Sequence, residues 1–259
     1  MFDNLKSERV CHQSVVVGGN ICLIGGIRKK KEACLADCEV IQDNKKMTKY
    51  NLTVPRMHYE RRHFGTCLFA GCVFVGGGQN KQLLDKCEVY STECSEWVEV
   101  ASMNTKRNSV ALIYFQDKVW AIGGISNGQT LNTIETYDLA ENKWTTIDTR
   151  LLQRREAHRA VANNDKFFVI GGTSIKYEEE NSVELYSSQT NQFTFVTQMN
   201  IGRSYFGCCI FKNKIFVYGG LLKLNSTDSV EVYDIENDVW SEGPKLPLPL
   251  GFFGHITEN

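Results

Sequence analysis

Five arginines and five glutamates recur in this chain in a fixed order, and their side chains could hold or move charge. The arginines are Arg9, Arg61, Arg107, Arg155 and Arg203, and the glutamates that follow them are Glu39, Glu88, Glu135, Glu184 and Glu231. A catalytic residue has no reason to appear five times. The recurrence therefore points to structure, an ion pair or backbone hydrogen bonds repeated between strands or sheets. The five histidines, His12, His58, His63, His158 and His255, form no H-x-H, H-E-x-x-H or Cys/His pair at metal-ligand spacing. No metal or cofactor is expected. His12 and His158 both lie three residues after a repeat arginine, where other copies carry Phe64, Val110 and Phe206. Half-buried structural histidines are expected there.

Ten cysteines offer thiol chemistry, but no C-x-x-C is present. Cys22, Cys67, Cys72, Cys208 and Cys209 fall in strand patterns, where a reduced cysteine is a small apolar residue. Cys34 and Cys38 follow the cations Arg28 to Lys31, and nearby cations lower a thiol pKa. The reading kept is ordinary thiols in a solvated basic loop. The N-terminus shows no charged region followed by an apolar one, so the reducing cytosol is the expected compartment.

The elements that carry these residues repeat too. Each arginine lies sixteen residues before the first glycine of a pair: Gly25-Gly26, Gly77-Gly78, Gly123-Gly124, Gly171-Gly172 and Gly219-Gly220. A short apolar strand runs into every pair. Glycine there suits a backbone at φ > 0 or a close backbone approach. After a variable loop comes Glu-x-Tyr, with Tyr90, Tyr137, Tyr186 and Tyr233. Seven residues later stands Trp97, Trp144, Phe193 or Trp240. The first unit is degenerate, with Ile41 and then Tyr50 in the aromatic places. Turn-formers bracket β-branched and aromatic runs, so each unit reads as four short strands, with helix scarce. Repeats span residues 9–60, 61–106, 107–154, 155–202 and 203–249, with a partial one at 250–259. Four strands per unit of this length predict an all-β propeller forming one domain. The tyrosines and tryptophans are candidates for the packing between blades, and small Gly65, Ala111 and Gly207 for the crowded axis.

The chain has 259 residues, 42% hydrophobic and 23% charged, with net charge −1. No global field favours nucleic acid or an acidic membrane, and no apolar run is long enough to span a bilayer.

The order Arg, double glycine, Glu-x-Tyr, Trp resembles kelch-repeat β-propellers of the kelch-like, BTB-kelch adaptor type. The resemblance implies six blades, one closed by strands from both chain ends. Leu250 to Ile256 resembles Arg203 to Cys209, with leucine in the arginine's place, as the first strand of a sixth repeat. The expectation is an N-terminally shortened six-bladed member with exposed strand edges at the gap, rather than five blades closing alone. The resemblance also implies BTB and BACK regions upstream, so a cullin scaffold would be reached only through regions outside this sequence. It implies substrate recognition for a cullin-RING ubiquitin ligase, with actin or cytoskeleton binding as the alternative and a propeller enzyme, such as a copper oxidase, as a remote one. A cytoplasmic protein, in the alternative cytoskeleton-associated, is expected.

Family contact positions lie one and two residues after the repeat arginine and just beyond the double glycine. Here these are Arg62 and His63, Asn108 and Ser109, Glu156, and Ser204 and Tyr205. The third group begins at Gln79 and Thr173, with Lys29, Lys81, Asn127, Ile175 and Lys223 two residues past its first position in the successive copies. They vary between copies while the scaffold positions do not. An acidic or phosphorylated peptide would complement Arg62, His63 and the lysines.

Overall fold

The apolar runs that end in double glycines become the second strands of antiparallel sheets. The computed structural model describes residues 8–28, 33–41, 53–163, 165–174, 178–251 and 256–257. In the third sheet, Ala111–Phe115 pairs with Lys118–Ile122, then Ile134–Asp138, then Lys143–Ile147. The second, fourth and fifth sheets begin at Gly65–Phe69, Arg159–Asn163 and Gly207–Phe211 and repeat this order. The first sheet contains Gln13–Val17, Asn20–Ile24 and Cys38–Ile41. Tyr50, expected in its outermost strand, lies outside the described residues, as do Lys29, Ile175 and His255.

Strand alternation decides what each face buries. Tyr137 lies directly opposite Trp144 and beside Val119, and this column projects toward the preceding sheet. It packs there on Cys67, Phe69 and Phe74. The same arrangement joins the first sheet to the second through Tyr90 and Trp97, the third to the fourth through Tyr186 and Phe193, and the fourth to the fifth through Tyr233 and Trp240. Four apolar interfaces thus stack five sheets face to face as blades of a propeller.

The arginine and glutamate tie each blade to the linker that enters it. Arg107 Nη1 donates to Gly123 O at 2.8 Å and Thr133 O at 3.2 Å, and Nη2 donates to Glu135 Oε1 at 2.6 Å. Glu135 also accepts from the backbone N–H of Asn104 and Thr105. Corresponding bonds join Arg61 to Glu88, Arg155 to Glu184 and Arg203 to Glu231, all nearly fully buried. The degenerate first unit keeps its pair, Arg9 to Glu39, at 2.6 Å.

The double glycines are required by proximity. A Cβ on Gly123 would lie 2.7 Å from Arg155 O, and one on Gly124 would lie 2.6 Å from Asn108 O. Both residues have positive φ. The second glycine donates to the carbonyl of the next repeat's arginine, as Gly124 N does to Arg155 O at 2.9 Å.

The end of the chain corrects one expectation. Ile256–Thr257 pairs in parallel with Ser14 and Val15, so it covers the inner edge of the first sheet rather than leaving that edge open. It lies beside both this strand and the inner strand Gly207–Phe211 of the fifth sheet. The faces of the first and fifth sheets are less protected. Val16, Ile21, Phe216 and Val232 are half-buried, and no apolar cluster among the described residues joins these two sheets.

Candidate functional site on the hairpin face

On one face, the linkers and the segments after the double glycines come together. Residues immediately after the repeat arginine pair with those immediately after the glycines: Arg62 with Gln79, Asn108 with Ile125, Glu156 with Thr173, and Ser204 with Leu221. Two groups that the sequence lists separately are therefore one layer of backbone bridges. Beyond it project tight hairpins, Ile125–Ser126 with Gln129–Thr130 and Leu221–Leu222 with Asn225–Ser226. Asn127 and Lys223 are exposed on them, and Lys81 is exposed on the corresponding turn.

One residue further from each arginine, the backbone forms an arc around the axis. His63 N donates to Cys11 O at 3.3 Å, Ser109 N to His63 O at 2.6 Å, Ala157 N to Ser109 O at 3.0 Å and Tyr205 N to Ala157 O at 3.0 Å. All five residues adopt φ between 50° and 56°. None is glycine, although this region costs an ordinary side chain free energy. The repeated backbone fixes the conformation and turns five different side chains toward the axis.

These side chains also meet. The rings of His63 and Tyr205 lie 5.3 Å apart, and Ser109 Oγ is 3.3 Å from Tyr205 Oη. Burial first, and then Arg62 and Arg159, push His63 down to about 4. Burial pushes Tyr205 up to about 12, so both are neutral at physiological pH. Nearby, the Gln79 amide lies 2.6 Å from Asn108 Nδ2. In the opposite amide orientation its oxygen accepts from Arg62 Nε and Nη2 at 3.1 and 2.9 Å.

Several expected contact residues are not displayed. Ser109, Glu156 and Ser204 are 8%, 9% and 3% exposed, because the bridge layer and the arc cover them. Burial raises the Glu156 carboxyl pKa above its ordinary value. The available surface is narrower: half-buried Arg62, His63, Gln79, Asn108, Thr173 and Tyr205, and the exposed hairpin tips. One tip residue was not singled out from the sequence. Leu224 is 86% exposed, with φ of 66°, at the tip of the fifth hairpin. Its signal was an apolar residue between lysine and asparagine in a turn.

Arg159 was also missed. It lies four residues after a repeat arginine, where Gly65, Ala111 and Gly207 are small, and is the only arginine at that position. Among the other candidates, His158 is fully buried rather than half-buried, and neither ring nitrogen has a hydrogen-bond partner. It fills the position of Phe64 and Phe206 as a neutral plug. The Cys34 thiol is pushed up by burial despite Arg62 nearby, and Cys38 is pushed up to about 12 by burial. Neither is an activated thiolate. Among the described residues, no His, Cys, Asp or Glu cluster could hold a metal, and no helix is long and apolar enough to cross a membrane.

The pattern of the KLHDC2/KLHL20/DRC7 Kelch-repeats domain matches residues 11–220 and, in a second match, 111–249. The chain is 29% identical over 210 residues to Kelch-like protein 26 of Danio rerio, covering 78% of this chain and 34% of that protein. It is 23% identical over 244 residues to Kelch-like protein 38 of Homo sapiens, covering 92% of this chain and 41% of that protein. The chain thus spans between a third and about two-fifths of these relatives' length. Among solved structures it is similar to "Structure of YjhT", with a TM-score of 0.70 and 15% identity over 76% of this chain and 69% of that one, a likeness of fold.

Proposed function

Since the chain belongs to the KLHDC2/KLHL20/DRC7 Kelch-repeats domain family, we propose that it is a non-enzymatic protein-interaction propeller. It takes a protein or peptide segment on its hairpin face, as the substrate-recognition part of a kelch-like cullin-RING ubiquitin-ligase adaptor. The observation that carries this reading is the arc from Cys11 to Tyr205. One backbone, held in the left-handed region and hydrogen-bonded from blade to blade, presents a different side chain at each step. A scaffold that keeps its backbone constant while varying what it displays is suited to recognition.

Arg62 and Lys81 supply charge-assisted donors for an acidic or phosphorylated segment. His63, Tyr205 and Leu224 supply aromatic and apolar contact. Contact with a cullin scaffold would require regions outside this sequence.

Affinity capture with mass spectrometry tests the reading. Proteins recovered by the unmodified chain are expected to be lost with Tyr205→Ala and with Arg62→Glu combined with Lys81→Glu, while the melting temperature holds. Recovery of the same proteins by both variants would overturn this face as the binding site. Co-sedimentation with actin filaments that both variants retain would favour a cytoskeletal role instead.

A further inference from the structure

The inner strands of the second to fifth sheets surround an open-mouthed cavity of about 420 Å³. Strand register explains why it is there. Counted from the first residue of each inner strand, the second and fourth positions carry Thr66 and Leu68, Leu112 and Tyr114, and Cys208 and Ile210 in three of these sheets. The fourth sheet carries Ala160 and Ala162 instead. Two methyl groups thus stand where the matching strands bring larger side chains. The volume they leave unfilled opens into the cavity, which both alanines line. Phe211, which also lines it, is 61% exposed at the end of its strand, while Tyr205 of the arc precedes the start of that strand. The mouth is therefore on the side away from the hairpin face.

The wall selects its occupant by polarity. The described residues that line it include no Asp, Glu, Lys, Arg or His; beside aliphatic groups they offer thiols and the phenols of Tyr114 and Tyr218. Burial raises the pKa of the Cys67 and Cys208 thiols, so both are neutral. Arg159, one residue before Ala160, borders the narrow clefts nearer the arc and not this space. An ion here would lose its hydration with no opposite charge to replace it, whereas an apolar body would exchange water for hydrocarbon contact. A peptide would bring an amide donor and acceptor at every residue, which these strand side chains do little to pair. The volume falls in the range of small-molecule sites, roughly 300–1,000 Å³.

We propose that this axial cavity binds one uncharged, largely apolar small molecule, which enters from the face opposite the hairpins. Ala160 and Ala162 make the space, and half-buried Cys209 and Tyr114 lie against the occupant. The site shares no residue with the arc, so its occupancy does not depend on which partner the hairpin face takes.

Titration with the uncharged fluorophore N-phenyl-1-naphthylamine tests this. The unmodified chain is expected to give a saturable fluorescence rise, reversed by octanol and not by octanoate at equal concentration. Ala160→Leu with Ala162→Leu copies Leu112 and Leu68 of the neighbouring sheets and fills the space. It is expected to weaken binding about tenfold or more while the melting temperature holds. The absence of a saturable rise would overturn the proposal. So would undiminished binding by the filled variant, which would put the probe elsewhere, as on the half-buried faces of the first and fifth sheets. Displacement by octanoate as effective as that by octanol would refute the uncharged class. If the filled variant does not fold, alkylation of the unmodified chain decides. Octanol should slow the reaction of iodoacetamide with Cys209, which lines the cavity, and not with exposed Cys94. Equal rates at Cys209 with and without octanol would rule the site out.

Discussion

Gly220 N donates to Leu250 O at 2.7 Å, the bond that Gly172 N makes to Arg203 O at 2.9 Å in the preceding blade. Leu250 N in turn donates to Thr227 O at 3.1 Å, as Arg203 N does to Glu180 O at 3.2 Å. Leucine thus keeps the backbone role of the repeat arginine without its side-chain role. The repeat register continues past the last complete blade into the strand that covers the first. Ending the chain after Pro249 removes these two bonds and the Ile256–Thr257 pairing. The expected loss is about 2–4 kcal/mol, counted as a few net hydrogen bonds. A lower urea midpoint with an unchanged slope would show it, and an unchanged midpoint would mean that the fifth blade holds without the segment.

The buried pair in the third blade makes a second prediction. Arg107→Leu strands Glu135 in a site with no solvent and should cost about 3–5 kcal/mol. Adding Glu135→Leu is not expected to restore stability. Glu135 also accepts from Asn104 N and Thr105 N at 2.6 and 3.0 Å, and those donors would lose their partner. Equilibrium denaturation of the single and double variants checks this, and recovery in the double variant would contradict it.

Trp144 combines two contributions that substitution can separate. It is 4% exposed, its ring packs on Phe74 at 6.0 Å, and its Nε1 donates to Ala101 O at 2.9 Å. Trp144→Ala should cost about 3–5 kcal/mol through lost burial and a cavity between blades. Trp144→Phe keeps most of the packing and loses the hydrogen bond, so a smaller cost, about 1–2 kcal/mol, is expected. Phe193 occupies the matching place in the fourth blade, which shows that the fold accommodates phenylalanine there.

Acid should weaken the fold once the pH falls below the ordinary histidine range. Burial, aided by neighbouring arginines, pushes His12 and His63 down to about 4 and holds His158 well below its ordinary 6.5. Between pH 6.5 and 4 the unfolded chain therefore binds protons that the folded chain refuses. Stability is full above pH 6.5 and falls as pH drops, by up to about 1.4 kcal/mol per pH unit for each histidine. His158→Phe, matching Phe64 and Phe206, is expected to make the decline shallower. Denaturation midpoints across this range test the slope, and a flat profile for the unmodified chain would refute it.

Much of the fold was legible because the repeat is a covalent fact. Spacing alone located the five arginines, the double glycines and the aromatic pairs, since each answers a local requirement. These are a backbone at positive φ, a carbonyl too close for a Cβ, and an apolar column at strand period. Which blade each column faces was not legible, because strand alternation marks two faces without saying which neighbour each one meets.

The candidate face was legible as positions but not as a surface. Spacing could list Ser109, Glu156 and Ser204 beside Arg62 and Tyr205. Only the folded arrangement buries the first three under their bridges and brings Tyr205 to His63 across the axis. Arg159 shows the same division. The sequence gives it as one more arginine in a chain whose net charge is −1. Closing the inner strands around an axis leaves only 8% of it exposed. Local pattern set the repeat; burial, which depends on contacts between blades far apart in sequence, decided which residues can meet a ligand.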